Sequence, residues 1–194
     1  MSEKKDILWL ITGGTIDAEP YDGSPVDVKP QIPSVIQESL KALNLDHHCE
    51  YINICHEDSK NVTVDHLTQI VDTIDDHPEY RDIRISIGTD DLEECAAFIE
   101  QQIQNRGITG RTVMFVGAME PLANDHTRES HAWKNLRKSV ESAGQYDEGF
   151  YVIADETSKV KPLVFINQDG EKKFLSKDWT DRTFKYASSP FTRE

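Results

Sequence analysis

Along the chain, apolar runs of strand length alternate with longer segments in which apolar residues recur at helical spacing. The runs occupy residues 6–11, 51–55, 83–87, 113–116 and 150–153. The first, third and fourth are almost continuously apolar, which is typical of strands buried on both faces of a sheet. The helical segments between them carry these apolar residues on one face: Ile32, Val35, Ile36, Leu40 and Leu43; Leu67, Ile70, Val71 and Ile74; Leu92, Ala96, Ile99 and Ile103; Trp133, Leu136, Val140 and Ala143.

This repetition of strand, helix and strand predicts an α/β fold, with a doubly wound and mainly parallel sheet that has helices on both faces. The pattern changes at Lys161, after which PLVFINQDGEKKFL predicts a small C-terminal β-hairpin around an Asp169–Gly170 turn. A tail without clear periodicity follows. We assign residues 1–158 to the α/β domain and residues 159–194 to the hairpin and tail, which we expect to belong to the same domain.

Length and composition predict a soluble protein with one domain. Of the 194 residues, 29% are charged and 37% are apolar, and no apolar stretch is long enough to cross a bilayer. The apolar part of the start, MSEKKDILWL, is too short for a signal peptide, so we expect a cytoplasmic location and no membrane partner. Cys49, Cys55 and Cys95 are odd in number and lack CxxC spacing, which predicts free thiols, with Cys95 in the core.

The charge of the chain limits its partners. The 21 basic and 35 acidic residues give a formal net charge of −14. Because a chain of this charge repels a phosphate backbone at long range, we expect no nucleic acid partner. A small polar ligand is compatible with the same charge.

The segments that follow the first four predicted strands are rich in glycine, hydroxyl residues and carboxylates. They read TGGTID, HEDSKNVT, GTDD and GAMEP in chain order. In open α/β sheets ligands bind beyond the carboxyl ends of the strands, so we expect these loops to meet at one edge. They would bring together Thr15, Ser59, Thr89 and Asp90. Small hydroxyls beside a carboxylate suit a nucleophile, an amine-binding group and donors to an oxyanion.

Each of these loops also has a purely structural interpretation. The glycines of Gly13–Gly14 fit a tight turn, and Thr15 and Thr63 each fit a cap of the segment that follows. Asp90 fits the N-cap of the next helix, and Ser59 fits a turn. Nucleotide binding has weak support, because GGTID has neither GxGxxG spacing nor the GK[ST] of a phosphate loop. Only the order of the four loops together favours a ligand site.

The motifs TGGTI, DSxNxT, GTD and GAMxP, in this order, resemble the amino-terminal domain of the bacterial-type L-asparaginases. The resemblance extends from Ile7 to about Gly149 and continues more weakly through PLVFINQDGEKKF. It implies hydrolysis of the side-chain amide of asparagine or a related small amide through a threonine acyl-enzyme. It also implies a small-molecule amide or amino acid as the partner, with neither a metal nor an organic cofactor.

The resemblance implies roles for individual residues. Thr15 would be the nucleophile, Thr89 a hydroxyl of the catalytic relay, and Tyr21 an activating tyrosine. Ser59 would hold the substrate, and Asp90 would bind its α-amino group through a charge-assisted contact. The other implied substrate-binding residues are Gly14, Lys60, Gly88 and Ala118.

Several positions depart from the family pattern. The chain reads IGTDD where the family usually reads HGTDT, and Glu120 stands in place of an arginine. Lys60 replaces a glutamine, and an exposed lysine with a pKa of about 10.4 is protonated and cannot act as a base. The resemblance places the family's catalytic lysine between the fourth helix and the fifth strand, where this chain reads SAGQYDEGF and has no lysine. We also expect no counterpart of the family's carboxy-terminal domain.

Three classes of function stay open on the sequence. The first is an asparaginase-like amidohydrolase. The second is a non-catalytic protein of the same ancestry that binds an acidic amino acid or a small amide, and the third is a subunit completed by another chain. We further expect a homodimer, in which a second copy covers the sheet edge that carries Thr15, Ser59, Thr89 and Asp90. The tail from Lys177 to Glu194 would form part of the contact.

Overall fold

The computed structural model describes residues 6–20, 34–168, 171–175 and 182–185 of the chain. The strands in these ranges are β1 Ile7–Gly13, β2 Cys49–Glu57, β3 Asp82–Ser86, β4 Thr112–Val116, β5 Gly149–Ile153, β6 Lys161–Gln168, β7 Glu171–Leu175 and β8 Arg182–Lys185. The α-helices are α1 Ile36–Ala42, α2 Val64–Asp76, α3 Leu92–Asn105 and α4 His131–Glu141. Across the described ranges, no helix combines the length and the apolar character that a membrane crossing needs.

The strands form one mixed sheet in the order β2-β1-β3-β4-β5-β6-β7-β8. The first five strands of this order pair in parallel, with Trp9 opposite Tyr51 on one side and Arg84 on the other. The chain moves outward to β2 and then returns across β1 to β3, so the direction of winding reverses between β1 and β3. Such a reversal opens a crevice at the carboxyl ends of the two strands, where doubly wound proteins bind ligands.

Strand β1 lies between β2 and β3 in the sheet, and all seven of its residues are buried. Successive side chains of a strand point to opposite faces of the sheet. Leu8 and Leu10 accordingly share a core cluster with residues of α2 and α3. Ile7, Trp9 and Ile11 share a second cluster with residues of α1 and α4. The predicted doubly wound α/β fold, with helices on both faces, is confirmed.

A buried ion pair lies within β3, and its arginine also hydrogen-bonds to α4. The Arg84 side chain is fully buried, and its Nη2 lies 3.1 Å from Asp82 Oδ1. Its Nε donates to the carbonyl oxygen of Ser139 at 2.7 Å. Burial lowers the pKa of Arg84, and the neighbouring Asp82 carboxylate opposes that shift. Both charges are thus paired and hydrogen-bonded, as buried charges must be.

The three cysteines are free, as predicted. Cys49 and Cys95 are buried, and Cys95 packs in the cluster formed with α2 and α3. Burial raises the pKa of the half-buried Cys55 to about 12, so its thiol is protonated at neutral pH. The Cys55 thiol donates to the Thr12 carbonyl oxygen at 3.4 Å.

The C-terminal part adds antiparallel strands to the parallel sheet. Strand β6 pairs with β5, and β7 pairs with β6 so that Gln168 faces Glu171. This pairing matches the predicted hairpin, whose Asp169–Gly170 turn lies outside the described residues. Strand β8 pairs with β7 inside the segment expected to be an aperiodic tail, so that expectation is wrong for residues 182–185. The remainder of the tail, expected to form the dimer contact, lies outside the described residues.

Candidate functional site

Two glycines let the loop after β1 lie directly against its neighbours. Gly13 and Gly14 have φ angles of +99° and +81°, in the left-handed region that side chains disfavour. A Cβ on Gly14 would lie 2.6 Å from the carbonyl carbon of Ile87, and one on Gly13 would lie 2.8 Å from the nitrogen of Glu57. The Gly14 N–H donates to the Glu57 carbonyl oxygen at 2.9 Å. The loops after β1, β2 and β3 therefore meet backbone to backbone.

Thr15 follows this contact directly and begins a 3₁₀ turn over Thr15–Asp17. The residue is half-buried, at the carboxyl end of the central strand. Gly14 occupies the N-cap position of the turn, and no side chain caps it. The interpretation of Thr15 as a cap is therefore wrong, and its hydroxyl has no capping role at this turn.

Asp17 closes the same turn and links it to α1. Its Oδ1 accepts the Val35 N–H at 2.7 Å, while its Oδ2 has no hydrogen-bond partner among the described residues. Burial raises the pKa of Asp17 to about 6, although hydrogen bonds from Ser34 and from the backbone of Val35 and Ile36 act in the opposite direction. This carboxyl group is not among the site residues that the sequence predicts.

Ser59 joins the loop after β2 to the loop after β3. The residue is 1% exposed, and its Oγ accepts the Asp91 N–H at 3.3 Å while donating to Asp58 Oδ1 at 3.3 Å. A Cβ on Gly88 would lie 2.7 Å from this Oγ, so residue 88 must be glycine for the loops to approach. Ser59 also opens a 3₁₀ turn, as the structural interpretation expected, but its hydroxyl reaches beyond that turn.

An ion pair crosses the same two loops at the surface. Lys60 Nζ lies 2.6 Å from Asp90 Oδ2, and both side chains are more than half exposed. The hydrogen bond and the charge of Asp90 raise the pKa of Lys60, so Lys60 is protonated at neutral pH and cannot be a general base. Asp90, the residue expected to receive an amino group, already holds one from within the chain.

The helix caps differ in part from their predicted assignments. Helix α3 has Asp91 at its N-cap, without a side-chain cap bond, so the interpretation of Asp90 as the N-cap is wrong. Asp90 is therefore not needed for helix capping. Thr63 does cap α2, in a reciprocal capping box with His66. The prediction for Thr63 is confirmed.

Thr89 faces the loop after β4. Its Oγ1 donates to Met119 Sδ at 3.5 Å, and its Cγ2 would lie 3.2 Å from a Cβ on Gly117. Ala118 is 1% exposed and packs in the cluster formed with α1 and α4, so its side chain is a core residue. Glu120 Oε1 accepts the His131 N–H at 3.1 Å and thereby engages the start of α4.

Most of the residues expected at the site thus lie at one edge of the sheet. Gly88 contacts both Gly14 and Ser59, and Thr15, Lys60, Thr89 and Asp90 adjoin these residues in the chain. Tyr21 lies outside the described residues. In the part of the chain that the structure describes, no group of three or more His, Cys, Asp or Glu side chains is arranged to hold a metal ion.

Comparison with known protein families agrees with this geometry. The family profile described as Asparaginase, N-terminal matches residues 6–166 of the chain. The chain belongs to the asparaginase family. This match confirms the resemblance indicated by the four motifs, and it extends into β6. No curated protein matches the chain.

Solved asparaginase structures share the fold. A probable cytoplasmic L-asparaginase from Campylobacter jejuni aligns with a TM-score of 0.65 and 24% identity, covering 91% of this chain and 54% of that one. The thermostable L-asparaginase from Thermococcus kodakarensis aligns with a TM-score of 0.57 and 22% identity, covering 75% of this chain and 43% of that one. L-asparaginase I from Vibrio cholerae O1 biovar eltor aligns with a TM-score of 0.56 and 20% identity, covering 89% of this chain and 51% of that one. The chain spans about half the length of these asparaginases.

The asparaginase domain also places two charged residues at this edge that the sequence analysis did not predict there. Lys161 Nζ lies 2.6 Å from Asp155 Oδ2, with side-chain exposures of 15% and 27%. Burial raises the pKa of Asp155, but hydrogen bonds from Lys161 and Thr157 outweigh it and leave this pKa below its ordinary value. Asp155 comes two residues after β5, so reading the fifth strand end like the other four would have found it.

Asn135 connects this fifth loop to the fourth. The side chain is fully buried on α4, and its Nδ2 donates to the carbonyl oxygens of Gly117 at 3.0 Å and Asp155 at 3.4 Å. Beside these loops lies a pocket of about 240 Å³, lined by Met119, Glu120, His131, Ala154, Asp155 and Glu156. The contacts between loops at the carboxyl edge of the sheet therefore continue from β1 and β3 across β4 to β5.

Proposed function

We propose that this chain is an asparaginase-like amidohydrolase domain that cleaves the side-chain amide of asparagine or a related small amide through an acyl-enzyme on Thr15. The observation that carries the proposal is the backbone contact of Gly14 with Gly88 and of Gly88 with Ser59. This contact places the loop that holds Thr15 beside the loops that hold Ser59, Thr89 and Asp90, at the point where the winding of the sheet reverses.

The chemistry of these side chains fits the two steps of amide hydrolysis. Thr15 Oγ would attack the amide carbon, and its proton would pass to the amide nitrogen, which leaves as ammonia. Water would then attack the resulting ester, releasing the carboxylic acid and restoring the Thr15 hydroxyl. Thr89, half-buried in the next loop, supplies a second hydroxyl close to the site.

A second function is favoured by one observation. A threonine hydroxyl is a weak nucleophile until a base removes its proton, and positioned bases contribute a factor of about 10²–10⁴. The sequences of the four loops after β1 to β4 contain one lysine, Lys60. Asp90 raises the pKa of Lys60, so this lysine stays protonated and cannot remove the proton. A protein that binds a small amide or acidic amino acid without cleaving it is therefore the second candidate.

Ammonia release distinguishes the two functions. Purified chain would be incubated with L-asparagine and with other small amides, and ammonia would be quantified over time. We expect release from the wild type, none from Thr15→Ala, and partial release from Thr15→Ser, the matched control that keeps a hydroxyl. Ligand-dependent thermal stabilisation with no ammonia from any variant would favour the binding protein and reject the hydrolase.

A further inference from the structure

The contact between Lys60 and Asp90 bears on which ligands the site accepts. Lys60 Nζ lies 2.6 Å from Asp90 Oδ2, with side-chain exposures of 62% and 53%. Both charges face solvent at the ligand edge, where a bound molecule can compete for either of them. The pair is therefore part of the surface that an incoming ligand meets.

The backbone on both sides of the pair has little freedom to move. Lys60 follows Ser59, which packs beneath Gly88, and the Asp91 N–H donates to Ser59 Oγ at 3.3 Å. The Lys60 N–H itself donates to Asp58 Oδ1 at 3.4 Å within the turn. These contacts hold the two loops together through atoms other than the Lys60 and Asp90 side chains, so the closeness of the two loops does not depend on the ion pair.

We infer that Lys60 is a specificity-determining residue, whose ammonium occupies the Asp90 carboxylate that the α-ammonium of an amino acid would otherwise use. The site then prefers amides that lack a free α-amino group over asparagine itself. This inference rests on the proposed function, in which Asp90 lies where the ligand binds, and it narrows the substrate class of that function.

Simple electrostatics gives the direction of this preference. The ammonium of asparagine would have to displace the Lys60 ammonium from Asp90 and then remain close to it, and like charges repel. A ligand with a carboxylate, carbonyl or hydroxyl oxygen at the same position could instead accept a hydrogen bond from Lys60. Asp58 and Asp91 also attract Lys60 and offer it other partners, which limits the cost of displacing it. Since exposed ion pairs contribute little, we expect a preference of about two- to fivefold.

The test compares L-asparagine with succinamic acid, which is the same molecule without its α-amino group. Ammonia release and calorimetric binding would be measured for the wild type, Lys60→Gln and the control Lys134→Gln, which removes an exposed lysine of α4. We expect the wild type to prefer succinamic acid. The ratio of the two kcat/KM values, or of the two binding constants, should shift toward asparagine by about two- to fivefold in Lys60→Gln and stay unchanged in Lys134→Gln.

The outcomes separate this inference from the proposed function. A shifted binding ratio without ammonia release supports the role of Lys60 and rejects the hydrolase. Ammonia release with an unchanged ratio in Lys60→Gln rejects the role of Lys60 and supports the hydrolase. If neither compound binds to or reacts with any variant, both proposals fail.

Discussion

Gly14 and Gly88 meet through their backbones at the carboxyl edge of the sheet. A Cβ added to Gly14 would lie 2.7 Å from the Cα of Gly88, closer than side-chain carbons approach backbone atoms in proteins. The contact sets the spacing between the loop that carries Thr15 and the loop that carries Thr89 and Asp90. The geometry of the candidate site therefore depends on the absence of a side chain at residue 14.

Replacement of Gly14 by alanine should strongly destabilise the fold. The methyl group would collide with backbone atoms that cannot rotate away, and φ of +81° is unfavourable for alanine. We expect the free energy of unfolding to fall by at least about 2 kcal/mol, measured by urea denaturation.

Gly107→Ala provides the matched control for this substitution. Gly107 has a similar φ of +67°, but a Cβ there would meet no atom within 4 Å. Gly107→Ala should lower the free energy of unfolding only by the cost of holding alanine in this backbone conformation, about 1 kcal/mol. Equal losses in the two variants would show that the loops after β1 and β3 are not in the tight contact described.

The fold could be predicted because its inner strands have a simple signature. Strands β1 and β4 are buried on both faces, so their sequences are almost continuously apolar and stand out from the helical segments. Strand β3 is also fully buried, but its sequence DIRIS carries two isoleucines among polar residues, and its charges are buried as the Asp82–Arg84 pair. Strand β2 lies at the sheet edge with half-buried residues, and its true length of Cys49–Glu57 exceeds the five residues that the apolar pattern indicates. Strand β8 gave no signal, because RTFK is short and mostly polar.

The stability of the protein should depend on pH through Asp17. Burial raises the pKa of this carboxyl group from 3.8 to about 6, so the folded state binds its proton more tightly than the unfolded state does. Folding is then favoured below the unfolded pKa, and this contribution is lost as the pH rises toward 6, by about 3 kcal/mol in total. Asp17→Asn should remove that loss, because an amide does not ionise in this pH range. Its oxygen can still accept the Val35 N–H, so the hydrogen bond is kept.

Urea denaturation between pH 4 and pH 7 measures this effect. The difference in unfolding free energy between Asp17→Asn and the wild type should grow in favour of the variant as the pH rises through this window. Asp75→Asn, at an exposed position of α2, serves as the control and should follow the wild type. A constant difference across the window would mean that the Asp17 carboxyl titrates normally in the folded protein.

The buried ion pair of β3 should be far more sensitive to truncation than a surface pair. Asp82→Ala would leave the buried Arg84 guanidinium without its carboxylate, at a cost of about 3–5 kcal/mol. The comparison is Asp72→Ala, which removes a partner 2.6 Å from Arg106 at the surface and should cost about 0–1 kcal/mol. Thermal and urea denaturation of both variants would test this, and similar losses would contradict the burial of Arg84.

The candidate site was predictable to the extent that it lies directly after strands. Thr15, Ser59, Thr89 and Asp90 each follow a strand by a few residues, and the topology of the sheet brings such positions to one edge. Side-chain pairing across loops could not be predicted in this way. Two examples are the Lys60–Asp90 contact and the hydrogen bonds of Asn135 between two loops. Both depend on three-dimensional packing, which local sequence patterns do not reveal.

The proposed cleavage of an amide through an ester on Thr15 is tested most directly by mass spectrometry of a reaction quenched in acid. The wild type would be mixed with excess small amide, stopped within seconds and digested. We predict that the acyl group is found on the peptide that contains Thr15 and is missing from Thr15→Ala. An acyl group on a different residue, or steady ammonia release by Thr15→Ala, would contradict the account.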